Sequence, residues 1–279
     1  MDVKNADLRE VMTRNVVVAG SSATLEHVRA LMLQHRISRV VIVNEYSTPV
    51  GIITYKDILR YKLDRTSKPL NEVFAVQVMS KPLVKEPETT PVRSCARRML
   101  DSAISSVIVV RGDTLAGIVT KTDLCMFYAT RGGEPREVRD VMTVKPITVR
   151  ASQSMLDAAK IMTEKNITRL PVVDGLLEGI VTASDLTAAN PAFTPVALRE
   201  RPRDVIMWER MVQPQGASPR VIADIMTKNP ITVLYNANLA EAAKLMIFHR
   251  ISGLPVMDSS NQLVGILTKT DVMKALAHA

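Results

Sequence analysis

Four times in this chain a short apolar run closes in the same way. Residues 51–57 read GIITYKD, 117–123 GIVTKTD, 179–185 GIVTASD and 265–271 GILTKTD. Each places a threonine three residues ahead of an aspartate: Thr54 and Asp57, Thr120 and Asp123, Thr182 and Asp185, Thr268 and Asp271. A further polar residue stands just before each Asp: Lys56, Thr122, Ser184 and Thr270. Two chemistries fit this spacing. A Thr followed three residues later by an acid at a helix start is a capping box, in which the side chains occupy exposed backbone N–H groups. The same helix start offers unpaired N–H groups and partial positive charge to a phosphate. Hydroxyls beside it can donate to phosphate oxygens, and a carboxylate can accept both hydroxyls of a ribose. The two uses are compatible.

Elements must hold these groups in place. A second landmark precedes each Asp: LREVMT (8–13), AVQVMS (75–80), VRDVMT (138–143) and IADIMT (222–227). From its Met to the Asp is 45, 44, 43 and 45 residues, so the chain is a fourfold repeat. The second landmark is the weakest, with Gln77 in the place of an acid. Within each repeat a β-rich piece comes first: NVVV, PLV, PITV and PITV. An amphipathic stretch follows, such as 154–166, where Met155, Ala158, Ala159 and Met162 share one helical face. Two short apolar strands then lead to the Asp and a second helix. The predicted class is α/β, built of β-α-β-β-α units at about 8–63, 75–130, 138–190 and 222–279. One such unit cannot bury its apolar face alone, so units should pack in pairs, 1–130 and 131–279. The linker 191–221 carries RDVIMWERMV (203–212), with Val205, Trp208 and Val212 on one helical face, as an extra helix of its own domain or a docking helix for a partner. His35–Arg36 and His249–Arg250 lie where side chains could cap helix carbonyls.

The VMT…PITV opening, the central RLPVV and the closing GIVT-x-(Ser/Thr)-Asp resemble the cystathionine-β-synthase (CBS) domain family. The likeness covers nearly all of the chain outside the third linker. It implies that consecutive repeats form pseudo-symmetric pairs, called Bateman modules. Four repeats and little else resemble the γ subunits of AMP-activated protein kinase and their stand-alone prokaryotic relatives. The resemblance implies binding of AMP, ADP or ATP. It assigns ribose to Asp57, Asp123, Asp185 and Asp271, and phosphate or ribose to Thr54, Thr120, Thr122, Thr182, Ser184, Thr268 and Thr270. It places adenine between Ile147–Thr148 and Leu170–Pro171, and between Ile231–Thr232 and Leu254–Pro255, where ordinary core packing is the competing role. It brings phosphate to the residues before the central strand, here Ser38–Arg39 and Thr168–Arg169. The second and fourth repeats have Ser105–Ser106 and Ser252–Gly253 there, without a base.

The bulk of the chain bounds the rest. Its 279 residues are 47% hydrophobic but only 4% aromatic, so the core is built of Val, Ile, Leu, Met and Ala. Cys95 and Cys125 are too few for a disulfide framework and suit a reducing, cytoplasmic setting. No apolar run approaches the ~20 residues that span a bilayer. A net charge of +8 favours anionic partners. Bases are dispersed and no nucleic-acid-reading motif stands out, so nucleic acid is the lesser reading, with an S-adenosylmethionine-binding regulator as a further alternative. Four histidines without metal-ligand spacing, no phosphate loop and no nucleophile–base set argue against catalysis and call for no cofactor or metal. The expected partners are adenosine nucleotides and a protein effector acting in trans, a kinase or another enzyme; assembly with a second copy is compatible with the sequence.

Overall fold

The computed structural model describes residues 6–63, 68–112, 114–131, 135–189 and 221–278. The first repeat comprises β1 (Val18–Gly20), α1 (Leu25–Gln34), β2 (Arg39–Val43), β3 (Pro49–Thr54) and α2 (Tyr55–Leu63). The second has α3 (Ala75–Val78), β4 (Lys85–Pro87), α4 (Val92–Asp101), β5 (Ser106–Arg111), β6 (Thr114–Thr120) and α5 (Lys121–Arg131). The third has β7 (Thr143–Val144), α6 (Met155–Glu164), β8 (Arg169–Asp174), β9 (Leu176–Thr182) and α7 (Ala183–Ala189). The fourth has β10 (Thr227–Lys228), β11 (Val233–Leu234), α8 (Leu239–Phe248), β12 (Gly253–Met257), β13 (Leu263–Thr268) and α9 (Lys269–Ala277). This is the expected β-α-β-β-α order. The opening strand runs parallel to the central one, which pairs antiparallel with the closing one. In the third repeat the opening strand shrinks to Val149, bridged to Val172.

The opening strands start later than the apolar pieces suggest. PLV ends at Leu83–Val84, before β4, and Ile147–Thr148 and Ile231–Thr232 precede the paired residues Val149 and Val233. The first helices are capped as their sequences dictate: Thr24, Ser154 and Asn238 accept from the backbone N–H groups of His27, Asp157 and Glu241. At their C-termini Arg36, Ala103, Asn166 and Arg250 take positive φ of 51–55°. The N–H groups of Ile37 and Ile251 then reach back to the carbonyls of Met32 and Met246. Backbone, not the His35–Arg36 or His249–Arg250 side chains, therefore closes these helices.

The two landmarks of a repeat do not lie together. The landmark of each repeat packs on the closing strand of its sequence neighbour. Thr13 bridges to Ile118 on β6, and Ser80 to Ile52 on β3. β7 pairs with β13, and β10 with β9. The conserved pattern within the chain follows from this contact. A Cβ on Gly179 would stand 2.8 Å from Met226 Sδ and 2.9 Å from the Thr227 carbonyl, and Gly51, Gly117 and Gly265 face Met79, Met12 and Met142 in the same way. Each landmark methionine thus fills the space a glycine leaves. Gln77 does what the acids of repeats three and four do: its Oε1 accepts from the Phe74 N–H at 2.8 Å, as Asp140 and Asp224 accept from Glu137 and Val221, whereas Glu10 of the first landmark pairs with Arg131.

By contact the chain divides into two units. Unit 1 holds Met1–Val16, Leu83–Pro146 and Pro230–Ala279; unit 2 holds Val17–Pro82 and Ile147–Asn229. Unit 1 therefore gathers the bodies of repeats two and four, and unit 2 those of repeats one and three. In unit 1, α5 packs on α8 and α9, and α4 on α9, around one continuous apolar core that includes Met99, Leu124, Leu239, Met246 and Leu276. In unit 2, α2 packs on α6 and α7. Its core falls into two clusters, one around Val28, Met32 and Ile53, the other around Met162, Leu170 and Val181 with Leu59 reaching in. The linker helix expected at 203–212 lies outside the described residues.

Candidate ligand-binding site

The four Thr–Asp pairs share one geometry. The Asp Oδ2 accepts from both the backbone N–H and the hydroxyl of the Thr at 2.6–2.9 Å in every repeat. Capping is therefore real at all four helix starts, and it occupies one oxygen only. The other oxygen separates the repeats. In the first, Asp57 Oδ1 accepts from Ser80 at 3.1 Å and lies 3.7 Å from Arg60. In the second, Asp123 Oδ1 accepts from Thr13 at 3.2 Å. In the fourth, Asp271, 2% exposed, pairs with Lys274 at 3.1 Å. Asp185 Oδ1 in the third has no hydrogen-bond partner among the described residues. Ser80 and Thr13 come from the exchanged landmarks; the hydroxyl ending VMS or VMT was the signal for them.

The residues just before the Asp also diverge. In unit 1, Lys121 of repeat two donates to Thr270 of repeat four at 2.8 Å, and Lys269 of repeat four donates to Thr122 of repeat two at 3.0 Å. This reciprocal clasp engages two hydroxyls expected to meet phosphate or ribose. In unit 2 the places of these lysines are taken by Tyr55 and Ala183. There Thr182 donates to Asp185 at 2.7 Å, so Ser184, 2.7 Å from the Thr182 oxygen, donates to it, and the three groups form a relay. Lys56 of repeat one reaches the Asn166 side chain of repeat three.

The alternating assembly brings both arginines expected at phosphate into unit 2. Arg39 donates to Ser38 at 3.2 Å, and Arg169 to Thr168 at 3.4 Å. At the expected base slot, Ile147 and Ile231 are 42% and 37% exposed, so they are not core residues. Thr148 and Thr232 are exposed too, whereas Pro171 and Pro255 are buried. Leu170 and Leu254 are fully buried and belong to the core. The Pro171 carbonyl accepts from the Val149 N–H at 3.0 Å, which sets Thr148 beside the central strand. A cavity of about 360 Å³ lined by Thr148, Val149, Arg150, Ser152, Gln153 and Val173 takes in only Thr148 of the expected residues.

The pattern of the CBS domain matches this chain four times, at residues 8–64, 75–130, 138–191 and 222–278. The chain belongs to the CBS-domain family. Protein MJ1225 of Methanocaldococcus jannaschii is 23% identical over 97% of this chain and 98% of its own length. Its crystal structure, described as that of a candidate archaeal homolog of γ-AMPK, matches with a TM-score of 0.79 at 21% identity, covering 96% of this chain and 99% of that one. A conserved protein of Pyrococcus horikoshii matches with a TM-score of 0.64 at 22% identity, covering 97% and 100%. The homoserine O-acetyltransferase of Methanococcoides burtonii is 36% identical over 50% of this chain; the chain spans 24% of that enzyme.

Electrostatics single out the third CBS repeat. Burial raises the Asp185 carboxyl above its ordinary range, against the opposing hydrogen bonds from Thr182. Burial, with Arg60 nearby, lowers the Lys56 ammonium, and Asp57 partly offsets this. The buried thiols of Cys95 and Cys125 are each pushed up to about 12, chiefly by desolvation, so they are inert. Among the described residues no group of three or more His, Cys, Asp or Glu side chains could hold a metal ion. No described helix is long and apolar enough to cross a membrane.

Proposed function

We propose that this CBS protein is a regulator that binds an adenosine nucleotide in unit 2 and signals occupancy to a protein effector. The observation that carries this reading is the third repeat: among the described residues Asp185 keeps one acceptor oxygen open beside a Ser184–Thr182 relay, in the same unit as Arg39 and Arg169. An open carboxylate oxygen suits a ribose hydroxyl, and guanidinium groups suit phosphate oxygens. The exposed Ile147 offers an apolar face to a base. Repeats two and four are weaker candidates, because the lysine clasp holds Thr122 and Thr270 and no base stands before their central strands. The resemblance to kinase γ subunits points the same way. S-adenosylmethionine offers two arginines a single carboxylate and brings a cationic sulfur with it, a poorer match than a phosphate, so it ranks second. The role is binding rather than catalysis, with a kinase or other enzyme as effector.

The experiment is calorimetric titration of the purified chain with AMP, ADP, ATP, adenosine and S-adenosylmethionine, together with mass spectrometry of any small molecule released on denaturation. An adenosine phosphate should bind most tightly. Preferential binding of S-adenosylmethionine, with no heat from the phosphates, would replace this reading by its alternative.

A further inference from the structure

Among the described residues Arg29 stands apart from the other buried side chains. It lies on α1, five residues after the helix cap, where the other three repeats carry Ala96, Ala159 and Ala243, all buried. In unit 1 the helices bearing Ala96 and Ala243 pack closely on α9 and α5. Arg29 is only 2% exposed, and its Nε and Nη2 are buried without a hydrogen-bond partner among the described residues. The guanidinium forms no hydrogen bond among the described residues; its electrostatic neighbours are Glu26 and Tyr55. Five donors on a permanently charged group make this an expensive arrangement, and an alanine at the same place avoids it three times in the same chain.

The surroundings say where the missing acceptor belongs. Tyr55 opens α2 at the position where unit 1 has the clasp lysines, and its hydroxyl feels both Arg29 and Asp185 of the third repeat. Burial pushes that hydroxyl up to about 12, so it stays a donor at any physiological pH. Arg29 and Tyr55 thus lie along the seam between repeats one and three. The apolar core of unit 2 divides beside it, with Ile58 of α2 in one cluster and Leu59 in the other, whereas the core of unit 1 is continuous. We propose that Arg29 and Tyr55 form an oxyanion-binding site at the seam of unit 2, filled by a phosphate that joins repeats one and three. The phosphate is either free or the terminal group of a nucleotide held in the same unit. Its arrival satisfies the orphan donors and closes the seam, so anion binding and the fit of the two repeats are coupled.

The test is thermal unfolding of the full chain and of Arg29→Ala with orthophosphate, AMP or adenosine, at constant ionic strength with chloride as control. In the wild type orthophosphate should raise the melting temperature beyond chloride. Arg29→Ala should melt higher without ligand, because a buried unpaired charge is gone, and should bind the anion about tenfold to a hundredfold more weakly. If Arg29→Ala does not fold, Arg29→Met, of similar length, takes its place. Loss of the AMP-over-adenosine difference in the variant identifies a nucleotide phosphate; loss of the orthophosphate response alone identifies free phosphate. If neither AMP nor adenosine acts on the wild type, the nucleotide reading fails and the orthophosphate response still decides this site. An anion response equal in wild type and variant, or the absence of any in the wild type, overturns it.

Discussion

Four carboxylates with one hydrogen-bonding pattern do not make four equal sites. Each holds its Thr through Oδ2, but among the described residues Asp57, Asp123 and Asp271 have Oδ1 engaged as well, and Asp185 does not. We therefore expect Asp185→Asn to weaken nucleotide binding by about 1–3 kcal/mol, the scale of a hydrogen bond to a charged group. Asp123→Asn should change it far less; calorimetry on both variants measures the contrast, and equal losses would remove the special place of Asp185. The same residue sets a pH dependence. A carboxyl with a raised folded-state pKa contributes stability that is fully present below its unfolded value and is lost as pH rises through the folded value. The unliganded wild type should lose stability through Asp185 as pH rises from about 4 toward neutrality. Asp185→Asn should lack that component and melt no lower than wild type at neutral pH, as thermal scans across this range would reveal. A variant that melts several degrees lower at neutral pH would mean that the charge stabilises the cap rather than straining it.

Strands and helices were legible because their signals are local. The short apolar runs that end in GIIT, GIVT or GILT mark strands, and the three- and four-residue spacing in 154–166 marks a buried helix face, whatever packs on them. The exchange of landmarks was not legible. Thr13 meets Ile118 and Met226 meets Gly179, and equal repeat spacing is preserved whether a landmark stays at home or crosses to a neighbour. The left-handed residues closing the first helices were missed for a different reason: Arg36, Ala103, Asn166 and Arg250 supply no glycine to mark the turn. The exchange makes a prediction of its own. Gly179→Ala drives a methyl against Met226 Sδ and the Thr227 carbonyl, and the carbonyl cannot rotate away as a side chain can. It should cost about 1–3 kcal/mol by overpacking, read as a shift in denaturation midpoint with unchanged slope. A neutral effect would mean that the β10–β9 contact is loose.

At the scale of the whole molecule, the alternating units decide which parts of the candidate site meet. Arg39 and Arg169 are 130 residues apart, and only the pairing of repeats one and three brings them into one unit; no spacing in the sequence encodes that. The landmark exchange supports the further proposal that consecutive repeats, 1–130 and 131–279, act as modules. Such a half would keep its exchanged landmarks but lose the cover that α6, α7, α8 and α9 give to α2, α4 and α5. Residues 1–130 expressed alone should therefore fold and self-associate, as sedimentation would detect; a folded, strictly monomeric fragment would speak against the helical seams as the main adhesive surfaces. Phosphate is held in unit 2, in this reading, by arginines that the second and fourth repeats lack. The most direct test is calorimetric titration of AMP and adenosine into the wild type and an Arg39→Met, Arg169→Met double variant, since Met keeps apolar bulk while removing the charge. The wild type should bind AMP at least tenfold more tightly than adenosine, and the double variant should bind adenosine as before with that preference largely gone. A preference for AMP that survives intact in the double variant would contradict the account.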